Sequence, residues 1–202
     1  DLAVMVDWLR PYAAQIPEIT TFELTTMLGF KFFELQHVDI AVIEVGLGGR
    51  LDATNIIDPL VSVITSLSLD HVNVLGDTLE KIAFEKAGIV KSGKPVVLSP
   101  QLENARKVVE QVCNERNARL FQVGSDFTGS IISTSLTSQE ILLKNTALSG
   151  FPRYQKKGLH VRLPLLGSHQ LSNAVTAFGA LQIIGEHGFK VNSQQFRRGF
   201  ST

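Results

Sequence analysis

Apolar and polar positions recur along this chain with two different periods, and the places where the period changes mark its elements. Residues 2–14 carry Val4, Val6, Trp8, Leu9 and Tyr12 at spacings that suit a helix, with Pro11 placed to stop or kink it near its end. Thr20 or Thr21 is predicted to cap a second helix running through Gln36. Its apolar face is Phe22, Leu24, Leu28, Phe32, Phe33 and Leu35, whose aromatic members read as core, and Glu23 suits the positive end of the helix dipole. The period then shortens. Residues 40–45 are apolar apart from Glu44, as a strand buried on both faces of a parallel sheet would be, and 60–67 read as another strand. Asp77 or Thr78 opens a helix whose inner face is Leu79, Ile82, Ala83 and Ala87, closing near Gly88 or Gly93. A short strand at 95–98, a helix over about 102–117 and a strand at 119–123 follow. This alternation predicts an α/β fold, a mainly parallel sheet flanked by helices with right-handed crossovers.

After Val123 the pattern changes. Residues 127–161 are rich in Ser and Thr with short alternating stretches at 130–136 and 140–144, which predicts a small antiparallel sheet appended to the main one. A long helix is predicted from Ser168 to about Glu186, carrying Leu171, Ala174, Val175, Phe178, Leu181 and Ile184, and Ser193 is expected to cap a last helix through Phe200.

Composition narrows the class. The 202 residues are 44% hydrophobic and 19% charged, with 19 basic residues balancing 19 acidic ones, so no net positive field recruits nucleic acid or an anionic membrane. No apolar run approaches a membrane span and nothing at the start resembles a signal peptide, so a cytoplasmic, reducing setting is expected. The single cysteine, Cys113, falls on an amphipathic helix and reads as a small buried apolar residue. The chain opens on Asp1 and closes on Thr202 just after a helical stretch, and reads as a piece of a longer protein.

Candidate chemistry gathers where strands are expected to end, since ligands of open α/β sheets bind beyond the carboxyl ends of the strands. Glu44 is a carboxylate in an otherwise apolar strand, and it runs into Gly46, Gly48 and Gly49, then Arg50 and Asp52. A buried carboxylate there must be paired, bound to metal or protonated. The 60–67 strand leads to Asp70 and His71, and Lys86 lies on the helix beyond. Glu44 and His71 suit a divalent cation, although magnesium prefers oxygen. Alone, His71 would read as a loop histidine bonded to backbone and Lys86 as a solvated helix lysine; together they are expected to converge over one site. One further motif is set aside. Gly88-Ile-Val-Lys-Ser-Gly-Lys94 fits G-x-x-x-x-G-K, but Pro95 stands where Ser or Thr is needed, and the motif leaves a helix for a strand, the reverse of a phosphate loop.

The stretch Glu44-Val-Gly-Leu-Gly-Gly-Arg-Leu-Asp-Ala-Thr-Asn55 resembles the signature of the folylpolyglutamate synthase and dihydrofolate synthase family, a branch of the Mur ligase superfamily. Three further matches follow in order: Ile64-Thr-Ser-Leu-Ser-Leu-Asp-His71, Ile82-Ala-Phe-Glu-Lys-Ala-Gly-Ile89 and His169-Gln-Leu-Ser-Asn-Ala174. The resemblance implies a P-loop NTPase-like central domain, occupied here by 1–202 without its phosphate-loop segment or the C-terminal Rossmann-like domain. It implies an ATP- and Mg2+-dependent ligase that phosphorylates a folate or dihydropteroate carboxylate and lets the amine of glutamate attack the acyl phosphate. Glu44 and His71 match the magnesium ligands, Lys86 the lysine that is carbamylated, and Gln170 and Asn173 the segment that meets the nucleotide. Asp52 lies in the signature loop among residues needed for activity, with Arg50 and Asp70 as supports. A monomeric full-length protein is expected, with this piece inactive alone.

Two other readings stand beside it. The Gly-Leu-Gly-Gly-Arg-Leu-Asp loop argues against a Mur-type ligase acting on a cell-wall nucleotide. The lack of a phosphate loop in these residues leaves open a noncatalytic nucleotide-binding or interaction domain.

Overall fold

The computed structural model describes residues 2–147 and 157–201, divided between two units, Asp1–Ile57 and Asp58–Thr202. In the first unit, α1 (Leu2–Ala13) buries Met5 and Leu9 and packs on α2 (Thr21–Leu35). Thr20 starts α2 as a capping box: its hydroxyl oxygen accepts from the Glu23 N–H (3.1 Å), and its own N–H donates to the Glu23 carboxylate (2.8 Å). Lys31 of α2 lies 5.0 Å from the centroid of the Trp8 ring.

Two expectations for this unit are corrected. The apolar face of α2 is not core, since no residue of that helix is fully buried and Phe22, Phe32 and Leu35 are exposed. Residues 40–45 belong to neither sheet, and Val42 is 91% exposed. An apolar pattern states what a strand could bury; the ladder itself needs a neighbour's N–H and C=O groups, and no described strand offers them here.

The second unit is built on two sheets. β1 (Ser62–Ile64), β2 (Val96–Leu98) and β3 (Leu120–Gln122) run parallel in the order β1-β2-β3. A short helix, α3 (Val72–Leu75), and α4 (Leu79–Ala87) link β1 to β2, and α5 (Glu103–Glu115) links β2 to β3. Ile64, Val96 and Leu98 pack with Ala83, Ala87, Val109, Val112 and Cys113 of α4 and α5. Val97 and Phe121 face the other way, into the core of the second sheet. A strand buried on both sides has no polar positions to alternate with, which is why 96–98 reads as an unbroken apolar run. Burial pushes the Cys113 thiol up to about 11.

The second sheet is antiparallel, in the order β4 (Phe127–Thr134), β5 (Gln139–Asn145), β6 (Leu159–Leu163), with an irregularity between Ile131 and Ser133. Residues 148–156 of the stretch expected to form it lie outside the described residues. Here one face is wet, and the burial alternates residue by residue along β5 and β6. Against the inner face lies α6 (Ser168–Glu186), whose Phe178 meets Phe127 edge-on at 6.2 Å and Phe196 of α7 (Ser193–Ser201) at 5.5 Å. Gly179 sits mid-helix because a Cβ there would fall 2.6 Å from the Phe127 ring. The last helix is capped by Asn192 and not by Ser193. The Asn192 side-chain oxygen accepts from the N–H of Gln194 and Gln195, and Gln195 reaches back to the Asn192 N–H. Among the described residues no helix is long and apolar enough to cross a membrane.

Candidate functional site

The glycine-rich loop of the first unit folds around one side chain. Asp52 Oδ2 accepts from the N–H groups of Gly46 (3.1 Å) and Leu47 (2.9 Å), and Oδ1 from the N–H (2.9 Å) and hydroxyl (2.5 Å) of Thr54. Partial burial raises the carboxyl's pKa, but the bonds from Thr54, Leu47 and Gly46 outweigh it and hold the group below the usual carboxylate range. Asp52 also caps a 3₁₀ turn at Ala53–Ile56. Gly46 passes so close to α2 that a Cβ would lie 2.3 Å from the Phe22 ring, and Gly48 takes a left-handed φ of 71°. These two glycines are what let the chain double back onto its own carboxylate.

Glu44 enters this loop. It was expected at the end of a buried strand, but it is exposed, on a segment outside both sheets, so burial does not force it to find a partner. With Phe22, Thr26, Phe30, Ile43 and Thr54 it lines a shallow recess of about 210 Å³.

In the second unit the segment after β1 carries His71. Only 62–64 of the expected 60–67 strand pairs in the sheet. The chain beyond is held by a side chain: Gln101 donates to the Thr65 carbonyl (2.8 Å) and accepts from the Leu67 N–H (2.9 Å), as a neighbouring strand would. His71 therefore does not end a strand but precedes α3 without a side-chain capping bond, in a left-handed conformation (φ 48°, ψ 40°) with its N–H donating to Asp70 Oδ1 at 2.8 Å. Its ring is exposed, with Nε2 3.8 Å from the same Asp70 oxygen. Lys86 lies half-buried in the last turn of α4, where a cation suits the helix dipole.

The start of α6 carries the remaining pair. Gly167, at φ 111°, precedes the helix and supplies no side-chain cap, so the first N–H groups of a 19-residue helix are left without one. One turn in, the Asn173 amide donates to Gln170 Oε1 at 3.4 Å. The Gly88–Pro95 motif runs from the end of α4 into β2, as expected of a chain segment that is not a phosphate loop.

Glu44 and Asp52 thus stand in the first unit, and His71, Lys86, Gln170 and Asn173 in the second. Among the described residues no three His, Cys, Asp or Glu side chains gather into a metal cluster. For a divalent cation, Glu44 offers the oxygen that magnesium prefers and His71 a nitrogen that it favours less. Residues that pattern reading missed are Thr54, which grips Asp52, and Gln101, a lone glutamine with no periodic signal.

The Mur ligase middle domain family model matches residues 12–181. A dihydrofolate synthase/folylpolyglutamate synthase of Bacillus subtilis is 33% identical over 202 residues, covering 96% of this chain and 45% of that protein. The fold resembles a mutant form of L. casei FPGS (TM-score 0.88, 30% identity, 99% of this chain and 49% of that one). It also resembles the Mycobacterium tuberculosis folylpolyglutamate synthase complexed with ADP (TM-score 0.84, 29% identity, 99% and 45%). The chain spans less than half the length of these relatives.

Proposed function

Because the chain belongs to the Mur ligase middle-domain family, we propose that it is the central ATP-binding part of a ligase that joins glutamate to folate or dihydropteroate. The observation that carries this reading is that all four sequence motifs lie, in order, on a fold shared with folylpolyglutamate synthase over nearly the whole chain. The full-length protein acts as a cytoplasmic monomer.

In the proposed reaction a carboxylate oxygen of the folate or pteroate attacks the γ-phosphorus of ATP, and ADP leaves. The amine of glutamate then attacks the acyl phosphate carbon; inorganic phosphate departs with the bonding electrons, the nitrogen loses a proton, and the amide remains. Two anions must meet in the first step, so the site has to offset their repulsion while aligning them. Glu44 and His71 would hold Mg2+, which when bound supplies positive charge against the phosphates. Lys86, carbamylated on Nζ, becomes an anionic oxygen donor, which removes the objection to a lysine beside a cation. Gln170 and Asn173 meet the nucleotide from the start of α6. Asp52, its oxygens committed to the loop, serves activity by holding the shape of that loop.

The test is a ligase assay of the full-length protein with ATP, Mg2+ and glutamate, run once with dihydropteroate and once with a reduced folate. ADP release coupled to glutamate incorporation is expected with at least one. ATP turnover without amide formation on either would overturn the reading, and the preferred acceptor separates dihydrofolate synthase from folylpolyglutamate synthase activity.

A further inference from the structure

We propose that Gln139 is a positioning residue for the nucleotide, acting from the antiparallel sheet through the turn that starts α6; this rests on the proposed contact of Gln170 and Asn173 with ATP. Gln139 opens β5, opposite Leu163 of β6, and is 2% exposed. The inward positions of β5 are Gln139, Ile141, Leu143 and Asn145. An amide therefore occupies a site where the strand's own pattern calls for an apolar side chain, and a buried amide is tolerated only when its bonds are made.

Those bonds go to one place. Gln139 Nε2 donates to the Leu165 carbonyl at 2.7 Å and to the Gly167 carbonyl at 3.3 Å. The segment they hold has little burial of its own: Leu165 and Leu166 are about half exposed, and Gly167 takes a backbone conformation that a side chain would strain. The Gly167 carbonyl also accepts the N–H of Gln170 at 3.1 Å. Gln139, Gly167, Gln170 and Asn173 thus form one chain of hydrogen bonds, from a buried side chain of β5 to the two residues assigned to the nucleotide. Gln139 touches no reacting atom. Its effect is to fix where the helix begins and how its first turn faces.

The test uses the full-length enzyme, with Gln139→Met, which keeps shape but loses both donated bonds, and Asn173→Ala as the reference for the nucleotide contact. Gln139→Met is expected to raise KM for ATP by about 10-fold while KM for glutamate stays within about two-fold, and to speed hydrogen exchange of the 167–170 amides. A role confined to stability would lower the active fraction, and so kcat, and leave KM for ATP where it was. If Asn173→Ala raises KM for ATP and Gln139→Met does not, the inference is overturned and the nucleotide contact survives. If neither variant changes it, the contact is wrong and the inference falls with it. Should Gln139→Met fail to fold, Gln139→Asn decides on the same readout. Its amide is one methylene short of reaching both carbonyls, so an unchanged KM for ATP overturns the proposal.

Discussion

Asp52 closes on Thr54 twice, through the backbone N–H at 2.9 Å and through the hydroxyl at 2.5 Å, and Thr54 is itself 93% removed from solvent (7% exposed). A short polar residue two positions on completes what looks from the sequence like a free catalytic acid. The carboxylate is spent on folding its own loop.

Replacing Asp52 by Asn should therefore destabilise the loop as well as reduce activity, by about 1–3 kcal/mol for the unmade bonds. The folded pKa lies below the unfolded one, so the stabilisation is fully present above about pH 4 and is lost as the pH falls through the lower folded value. Thermal denaturation of both proteins across about pH 2–6, two units either side of the ordinary carboxylate value, checks this. The gap should be constant at the upper end and shrink at the lower; a gap that widens on acidification contradicts the assignment.

Gln101→Leu removes the side chain that stands in for a strand beside Thr65 and Leu67. A loss of about 1–3 kcal/mol is expected. Because the same segment runs on to His71, the Mg2+ concentration for half-maximal activity should also rise; a stability loss with no change in magnesium dependence separates the two.

Lys86→Ala should abolish most ligase activity, and small carboxylic acids should restore part of it by supplying the missing anionic oxygen. Assays with and without added acetate or formate decide the matter. Unchanged turnover in the variant would rule out the carbamate role.

The 202-residue chain assayed alone should make no amide and bind ATP weakly. It spans less than half of its relatives, and its one G-x-x-x-x-G-K motif runs from helix to strand. Titration calorimetry with ATP and the ligase assay test both halves of this expectation.

Cys113 should be inert in the native protein at neutral pH, because burial pushes its thiol up to about 11 and removes it from solvent. Reaction with a disulfide reagent should wait for unfolding; rapid native modification would contradict the packing.

By itself the sequence determined the elements whose information is local and repeated. The 3.6-residue stripe of 168–186 and the helix opened by Thr20 or Thr21 each depend on residues within a few positions of one another, and the structure returns them within a residue or two, with Thr20 as the cap. The alternation of strands and helices over 60–123 likewise predicts the parallel sheet flanked by helices. Four short motifs identified the family, because residue types at set spacings carry chemistry without needing a fold to be drawn.

Only the tertiary structure decided which polar groups are committed to shape and which stand ready for a ligand. Asp52 lies in the signature loop and has the geometry of scaffolding, Gln101 carries no signal and holds a strand's place, and Glu44 has the pattern of a buried strand but is exposed. Gln139 lies just outside the alternating stretch 140–144, and only the fold puts its amide on Gly167, 28 positions away. Periodicity reports what a face could bury, while hydrogen bonds between distant segments depend on where the folded backbone brings each donor, and nothing in the spacing of neighbours encodes that.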